Sequence, residues 1–490
     1  MRALFWVWAG WLVMGSQPAA AVDLMAVYGS AKTNDAGFAA AQAGAATGAE
    51  KVHQGRAGLL PVVSADVNTQ WNALEYQERN SSGASATQSR YNSHGWQLTL
   101  TQPLLRPQNW VAYRQGEIQE ILTRAQFEGV RMDLIVRVAQ TYFNVHIASA
   151  ALDSALKQEE AIIQQRLFAQ RHFELGMATI TDTHEAQARL DLAVAQTLAA
   201  RNERDIQEEA LRTLTAHPYE AHQLRPLRTD ISLPTPLPLD IAQWAQRAQE
   251  GSSAVAVALA RAELARLESV HARAGHWPTV DLIAQKGSTG QTGAFASGQS
   301  LTGYRLDSSS VGVQLHIPLW TGGATASRSR EMALLHEKAQ FEAEDARRQA
   351  ALLCRQAYRG VLSAHAQVRA LDAAQQSSLL ALAALQTGYD LGLRVNIDVL
   401  NAQSQLHDIR IKRLKARVEV IMGLLRLKAV AGVLTEQDLA QVNALLESAP
   451  TGALTQETAP CQQDGNPESA PGNQDQCRAV DAQVSGQGTR

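Results

Sequence analysis

Aromatic residues are scarce in this 490-residue chain, at 5% of the total. A core so poor in Phe, Tyr and Trp has to be assembled from Ala, Leu, Val and Ile. That suits helices packed closely along their length better than a thick globular interior. Cysteine is scarcer still: Cys354 falls in a helix-forming run, while Cys461 and Cys477 fall in a polar C-terminal stretch. Three cysteines so spaced make neither a metal pattern nor a disulfide-dense scaffold, though the last two leave open one bridge in an oxidising compartment. Charge of one sign is missing as well, since 44 Lys and Arg face 47 Asp and Glu for a net -3. Such a balance offers no argument for a nucleic-acid partner. After residue 21 no apolar run approaches the ~20 residues of a spanning helix, so a membrane crossing by the mature chain requires a closed β-barrel.

Catalytic patterns are missing too. The loop "GSTGQTG" at Gly287 lacks the Gly-Lys-Ser/Thr ending of a phosphate cradle. "GGATAS" at Gly322 lacks the full glycine fingerprint and the βαβ context that would follow it. The 13 histidines form no His-Glu-x-x-His, and His172 and His184 straddle a predicted turn. No nucleophile elbow occurs. The chain reads as a non-enzyme with no cofactor and no metal centre.

What the chain does contain begins with "MRALFWVWAGWLVMGSQPAAAVDLM": a positive Arg2, an apolar stretch from Ala3 to Met14, and Ala19-Ala20-Ala21. These are the three parts of a secretory signal peptide, predicted over residues 1–21. The rest is written twice. "FELGMATITDTHEAQARLDLA" from Phe173 returns as "YDLGLRVNIDVLNAQSQLHDI" from Tyr389, a constant offset of 216 for Leu175, Gly176, Asp182 and Ala186. "RAGLLP" at Arg56 returns as "RAGHWP" at Arg273, and "LTQPL" at Leu100 returns as "LHIPL" at Leu315. Two diverged copies are expected, 22–216 and 240–432. A Pro-rich connector over 217–239, "RPLRTDISLPTPLPL" within it, joins them. An equatorial segment, 433–447, and a Ser, Gly, Pro, Gln and Asp-rich disordered tail, 448–490, complete the plan.

Each copy opens with an Ala-rich helical segment, about Leu24 to Arg56 in the first. After Pro61 the period becomes two, with Val63, Ala65, Val67, Thr69 and Trp71 alternating with Ser64, Asp66, Asn68, Gln70 and Asn72. This is a strand with one greasy and one wet face. The polar run "QERNSSGASATQSR" is expected to be a loop before a second strand through Trp96, Leu98 and Leu100. The second copy repeats the plan with loop "KGSTGQTGAFASGQSLTG" and a strand from Val311 through Leu319. Strand length near ten fits a membrane barrel, but four strands are too few to close one, so several chains must pool theirs.

From Asn109 to Phe173 no proline interrupts a helix-forming run of about 98 Å. Ile118, Leu122, Ala125, Gly129, Met132, Val136, Ala139 and Phe143 form one seam. Leu134, Val138, Thr141, Val145, Ala148, Leu152 and Ala155 form another on a second face. Two seams mean neighbours on both sides, in a tube wall or in a solid bundle. Where the long helix reverses, Gly176 and Gly392 supply a residue able to take positive φ. Asp182 and Asp398 fall near the start of each returning helix, where a carboxylate is favoured.

This order of elements resembles the TolC family of outer-membrane efflux channels. The resemblance is carried by "LMAVY" after the leader, "LLP" before the first strand, "FELGMATITD" and "YDLGLRVNIDVLNAQS" at the turns, "IPLWTGG" before the second long helix, and "LTEQDL" at Leu434. It covers residues 23–445. It implies a homotrimer in the outer membrane, pooling four strands per chain into a twelve-stranded barrel continued by a twelve-helix coiled-coil tunnel in the periplasm. A periplasmic adaptor and an inner-membrane pump are the implied partners, with small molecules or unfolded proteins as cargo. Carried over by motif, Tyr389 and Arg394 tie the inner hairpin to Asp182 and Thr181 and so lock the gate, and Gln165 bonds the partner hairpin. Asp398 matches the first acidic ring of the constriction, a weak cation site. The family's next acidic position is Asn401 here, and Gln386 replaces an acidic partner of Gln165. A poreless periplasmic coiled-coil adaptor or scaffold is the alternative that lacks membrane strands.

Overall fold

A computed structural model describes residues 22–80, 83–177, 179–228, 230–296, 299–391 and 393–447. The predicted leader and tail, with Cys461 and Cys477, lie outside these residues, as does Gly392.

The opening helical segment is two helices, α1 (Leu24–Asn34) and α2 (Ala36–Ala57), rather than one. Asp35 divides them. Its carboxylate accepts from the Phe38 amide at 2.6 Å and lies 3.3 Å from Arg137, so an N-cap is built where a continuous helix was expected.

Four antiparallel strands follow the alternation: β1 (Val62–Asn80), β2 (Gly83–Leu105), β3 (Thr279–Ala296) and β4 (Gln299–His316). They form one sheet in the order β1-β2-β3-β4, the β2–β3 ladder joining the two copies from Ser93↔Gln291 to Leu105↔Val280. Its register shifts between Pro103 and Leu105, as expected where a proline cannot donate to the ladder. The strands are 18 to 23 residues long, about twice the expectation. Most of the two polar runs read as loops is strand. An antiparallel ladder satisfies backbone donors and acceptors whatever the side chains, so small polar residues extend it. β4 stops at His316, short of the expected Leu319, because Pro318 follows.

Beneath the sheet run α3 (Pro107–Glu174), about 102 Å long at 1.5 Å per residue, and α4 (Ile180–Thr215). The second copy supplies α5 (Ile241–Gly251), α6 (Ser253–Ala274), α7 (Ala324–Asp390) and α8 (Asn396–Val430), before a short α9 (Glu436–Asn443). Both seams of α3 are used: Leu122, Met132, Ala139 and Phe143 are buried, and so are Leu134, Val138, Val145, Ala148 and Leu152. Its neighbours are α2, α4, α6 and α8.

The core sits midway along the helices. Leu24, Tyr28, Leu134, Ile135, Tyr142, Phe143, Leu211, Ile421, Leu425 and Leu439 form one cluster. Trp244, Val255, Cys354, Tyr358 and Leu427 form a second beside it. The connector lies against this level, and several of its backbone groups are bonded there. Val22 bridges Leu224, Leu227 bridges Leu446, and Tyr142 donates to the Arg225 carbonyl at 2.9 Å. Arg417 donates to the Arg228 carbonyl at 2.8 Å and Trp244 to the Pro238 carbonyl at 2.8 Å. Ion pairs Lys32–Glu436 and Lys428–Asp438, each with a 2.6–2.8 Å contact, fasten α9 to α1 and α8.

Candidate gate at the helical turns

The two outgoing helices share a closing bond at their ends. At the end of α3, Gly176 takes φ +75°, its amide donates to the Phe173 carbonyl, and the Met177 amide donates to the His172 carbonyl. This is the paired bonding of a Schellman cap. At the end of α7 the Leu393 amide returns to the Gly388 carbonyl at 2.8 Å, the matching bond 216 residues on.

From there they differ. Thr179 caps α4 with its hydroxyl, and Asp182 answers by accepting from the Thr179 amide at 2.8 Å and its hydroxyl at 2.9 Å. These bonds, the backbone one foremost, hold the Asp182 carboxyl below its usual range. The equivalent cap of α8 is Val395, which has no hydroxyl to give. Asp398 is thus without that lock, and its carboxylate lies 3.9 Å from Arg394, one turn back.

Asn401 is exposed three residues further on, and its side-chain oxygen accepts from Arg189 of α4 at 3.4 Å. Arg189 is also bonded to Glu185 at 3.0 Å. Gln158 of α3 donates to Ser404 of α8 at 3.2 Å. Between α3, α4 and α8 lies a cavity of about 160 Å³ lined by Gln158, Gln165, Arg189, Asn401, Ser404 and His407. The Gln165 amide oxygen is buried at this cavity without a hydrogen-bond partner. Burial, together with Arg410 and Lys157, pushes the His407 pKa down.

The structure brings Asp398, Arg394 and Asn401 together at the start of α8, and Asp182 with Thr179 at the start of α4. Thr181 is exposed, Tyr389 is half-buried at the end of α7, and Gln386 is exposed one turn before it. Among the described residues of one chain, no hydrogen bond joins Tyr389 or Arg394 to Thr181 or Asp182. Arg189, Gln158 and Ser404 escaped the motif reading. The available signal was spacing: Arg189 follows Asp182 by two helical turns and so shares its face.

A family model described as outer membrane efflux protein matches the chain twice, over residues 27–217 and 244–433. The alkaline protease secretion protein AprF of Pseudomonas aeruginosa is 30% identical, with 94% of each chain covered. The proteases secretion protein PrtF of Dickeya chrysanthemi is 28% identical over 90% of this chain and 94% of its own. Among solved structures, the CmeC outer membrane channel of Campylobacter jejuni shares the fold. Its TM-score is 0.70, with 91% of this chain and 98% of that one covered, at 15% identity.

Proposed function

Because the chain belongs to the outer membrane efflux protein family, we propose that it is the exit duct of a type I secretion system, passing unfolded protein out of the cell. It is a duct rather than an enzyme, fed by an inner-membrane pump through a periplasmic adaptor. The observation that carries the reading is the four-stranded sheet with one apolar face and two open edges, continuous with helices of about 100 Å. Unpaired edges in lipid are untenable, so β1 of one chain takes β4 of the next until the sheet closes. Three chains give twelve strands and a tunnel of twelve helices, with the barrel in the outer membrane and the helices in the periplasm. The open gate is reached when the α7–α8 hairpins swing away from the axis. Protein cargo is favoured over small molecules because the names of the two relatives given above both specify protease secretion.

The test is expression beside the cognate pump and adaptor in cells lacking their own exit duct, with secreted protein and drug resistance both measured. Restored protein export is expected. Restored resistance without export overturns the cargo. Native cross-linking that yields only monomers, or recovery with soluble periplasmic proteins, overturns the duct and favours a poreless scaffold.

A further inference from the structure

The geometry points to a binding site for one phosphorylated lipid of the outer leaflet on the outward face of each chain's sheet, an inference that rests on the closed-barrel reading above. Closure turns the apolar face toward lipid. Register sets Val63, Leu100, Ala284 and Val311 side by side across that face, with Leu282 and Val313 below them. The next row toward the strand tips is Ala65, Leu98, Lys286 and Ser309. Above it come Val67, Trp96, Ser288 and Asp307, then Thr69, His94, Gly290 and Arg305. A trough of about 460 Å³ is lined by Val63, Leu98, Leu100, Ala284 and Val311, with Lys286 and Ser309 at its upper end.

Depth makes these cations unusual. Lys286 stands seven residues beyond Thr279, about 18 Å up a strand tilted by about 40°. Arg305 stands eleven residues from His316, about 28 Å up. An outward apolar band is about 25 Å tall, so Lys286 lies within it and Arg305 at its upper edge. A lipid-facing ammonium is stable only if its stem reaches up to the interface and meets an anion. Lys286 is exposed, and among the described residues its ammonium has no hydrogen bond or ion pair. The Arg305 Nε donates to Ser288 at 3.1 Å and to Asp307 at 3.2 Å. Its two Nη groups have no protein partner among the described residues. One carboxylate against two cations leaves a net positive charge above an apolar trough. That is the complement of a phosphate on an acyl chain, and the Ser309 hydroxyl beside Lys286 suits a sugar-bearing headgroup.

The test uses the full-length protein in vesicles of phosphatidylcholine brominated on its acyl chains. Quenching of Trp96, isolated by comparison with Trp96→Phe, reports lipid contact at the site. Unbrominated bisphosphorylated lipid A is expected to relieve the quenching at least about tenfold more effectively than unbrominated phosphatidylcholine. Lys286→Gln with Arg305→Gln should cut that preference to about twofold or less, and Asp307→Asn should raise it. Trp96 quenching with no preference for lipid A overturns the headgroup site and leaves the barrel standing. No quenching of Trp96 shows that the face is not outward, and overturns barrel and site together. Loss of the preference in millimolar inorganic phosphate assigns the cations to a free anion and overturns the lipid site.

Discussion

Asn401 illustrates how one side chain could decide the charge of the proposed constriction. An Asp at this position, beside Asp398, would be expected to strengthen divalent-cation block if it faced an open lumen. Its contact with Arg189 changes that expectation, because a carboxylate there would be partly offset by a guanidinium 3.4 Å away that it shares with Glu185. Asn401→Asp alone should alter block in planar bilayers by about twofold or less, whereas Asn401→Asp with Arg189→Gln should raise it several-fold. Equal block in both variants would show that Arg189 does not reach the position. Tyr389 and Arg394 are the residues proposed for the lock. Charge-assisted bonds between hairpins are worth about 1–3 kcal/mol each, enough to close a gate yet yield to a partner that prefers it open. Tyr389→Phe with Arg394→Ser should therefore conduct more while remaining a trimer; unchanged conductance in an intact trimer would remove both residues from the lock. His146 governs a different property. Its ring is buried beside Tyr142, and burial outweighs its bond to the Arg225 carbonyl, lowering its pKa to about 4 from 6.5. The folded chain resists a proton that the unfolded chain accepts, so stability is full above pH 6.5 and declines toward pH 4. The loss is at most about 3 kcal/mol. His146→Gln should flatten the thermal-melt dependence across that window, and an unchanged slope would mean that other groups produce it.

At the level of elements, the two hairpins share a closing bond at the C-terminal end of the outgoing helix and part company at the N-terminal cap of the returning one. Val395→Thr should build at α8 the box that Thr179 and Asp182 form at α4, stabilising the helix by about 1 kcal/mol. It should also draw Asp398 toward the cap, weakening its pairing with Arg394 and any cation block. Block that persists at wild-type strength would place Asp398 away from the conducting path. The duplication, the long helices and the four strands were legible because each rests on a period or an offset that survives divergence. Gly176 was legible for the same reason, since positive φ admits few residues. The break at Asp35 was not, because a capping carboxylate inside an Ala-rich run leaves the helical period intact. Strand ends were misread for a related reason: Gly, Ser and Thr signal loops by composition, yet the ladder that extended them is made by backbone atoms. Arg189 and Gln158 were invisible because their partners lie on α8, more than 200 residues away, and no short motif records such a pairing.

For the molecule as a whole, the described residues from 22 to 447 hold the sheet, both hairpins and the belt that binds α9 to α1 and α8. Truncation after Glu447 should therefore leave trimer assembly and transport at wild-type level, judged by native cross-linking and export. Loss of the trimer would show that residues 448–490 contribute to it. The position of the core has a mechanical consequence. α7 is gripped at Cys354 and Tyr358 and again at Ala364 and Val368, and then runs 22 residues to its end at Asp390, an arm of about 33 Å. With that grip as fulcrum, a tilt of about 10° would carry the tip through about 6 Å. Val399 and Leu406 are buried near the start of α8, so movement at the tips is resisted by apolar packing as well as by the polar bonds there. In the proposed duct the length of the helix would thus act as leverage, turning a small tilt at the grip into a larger movement at the tip.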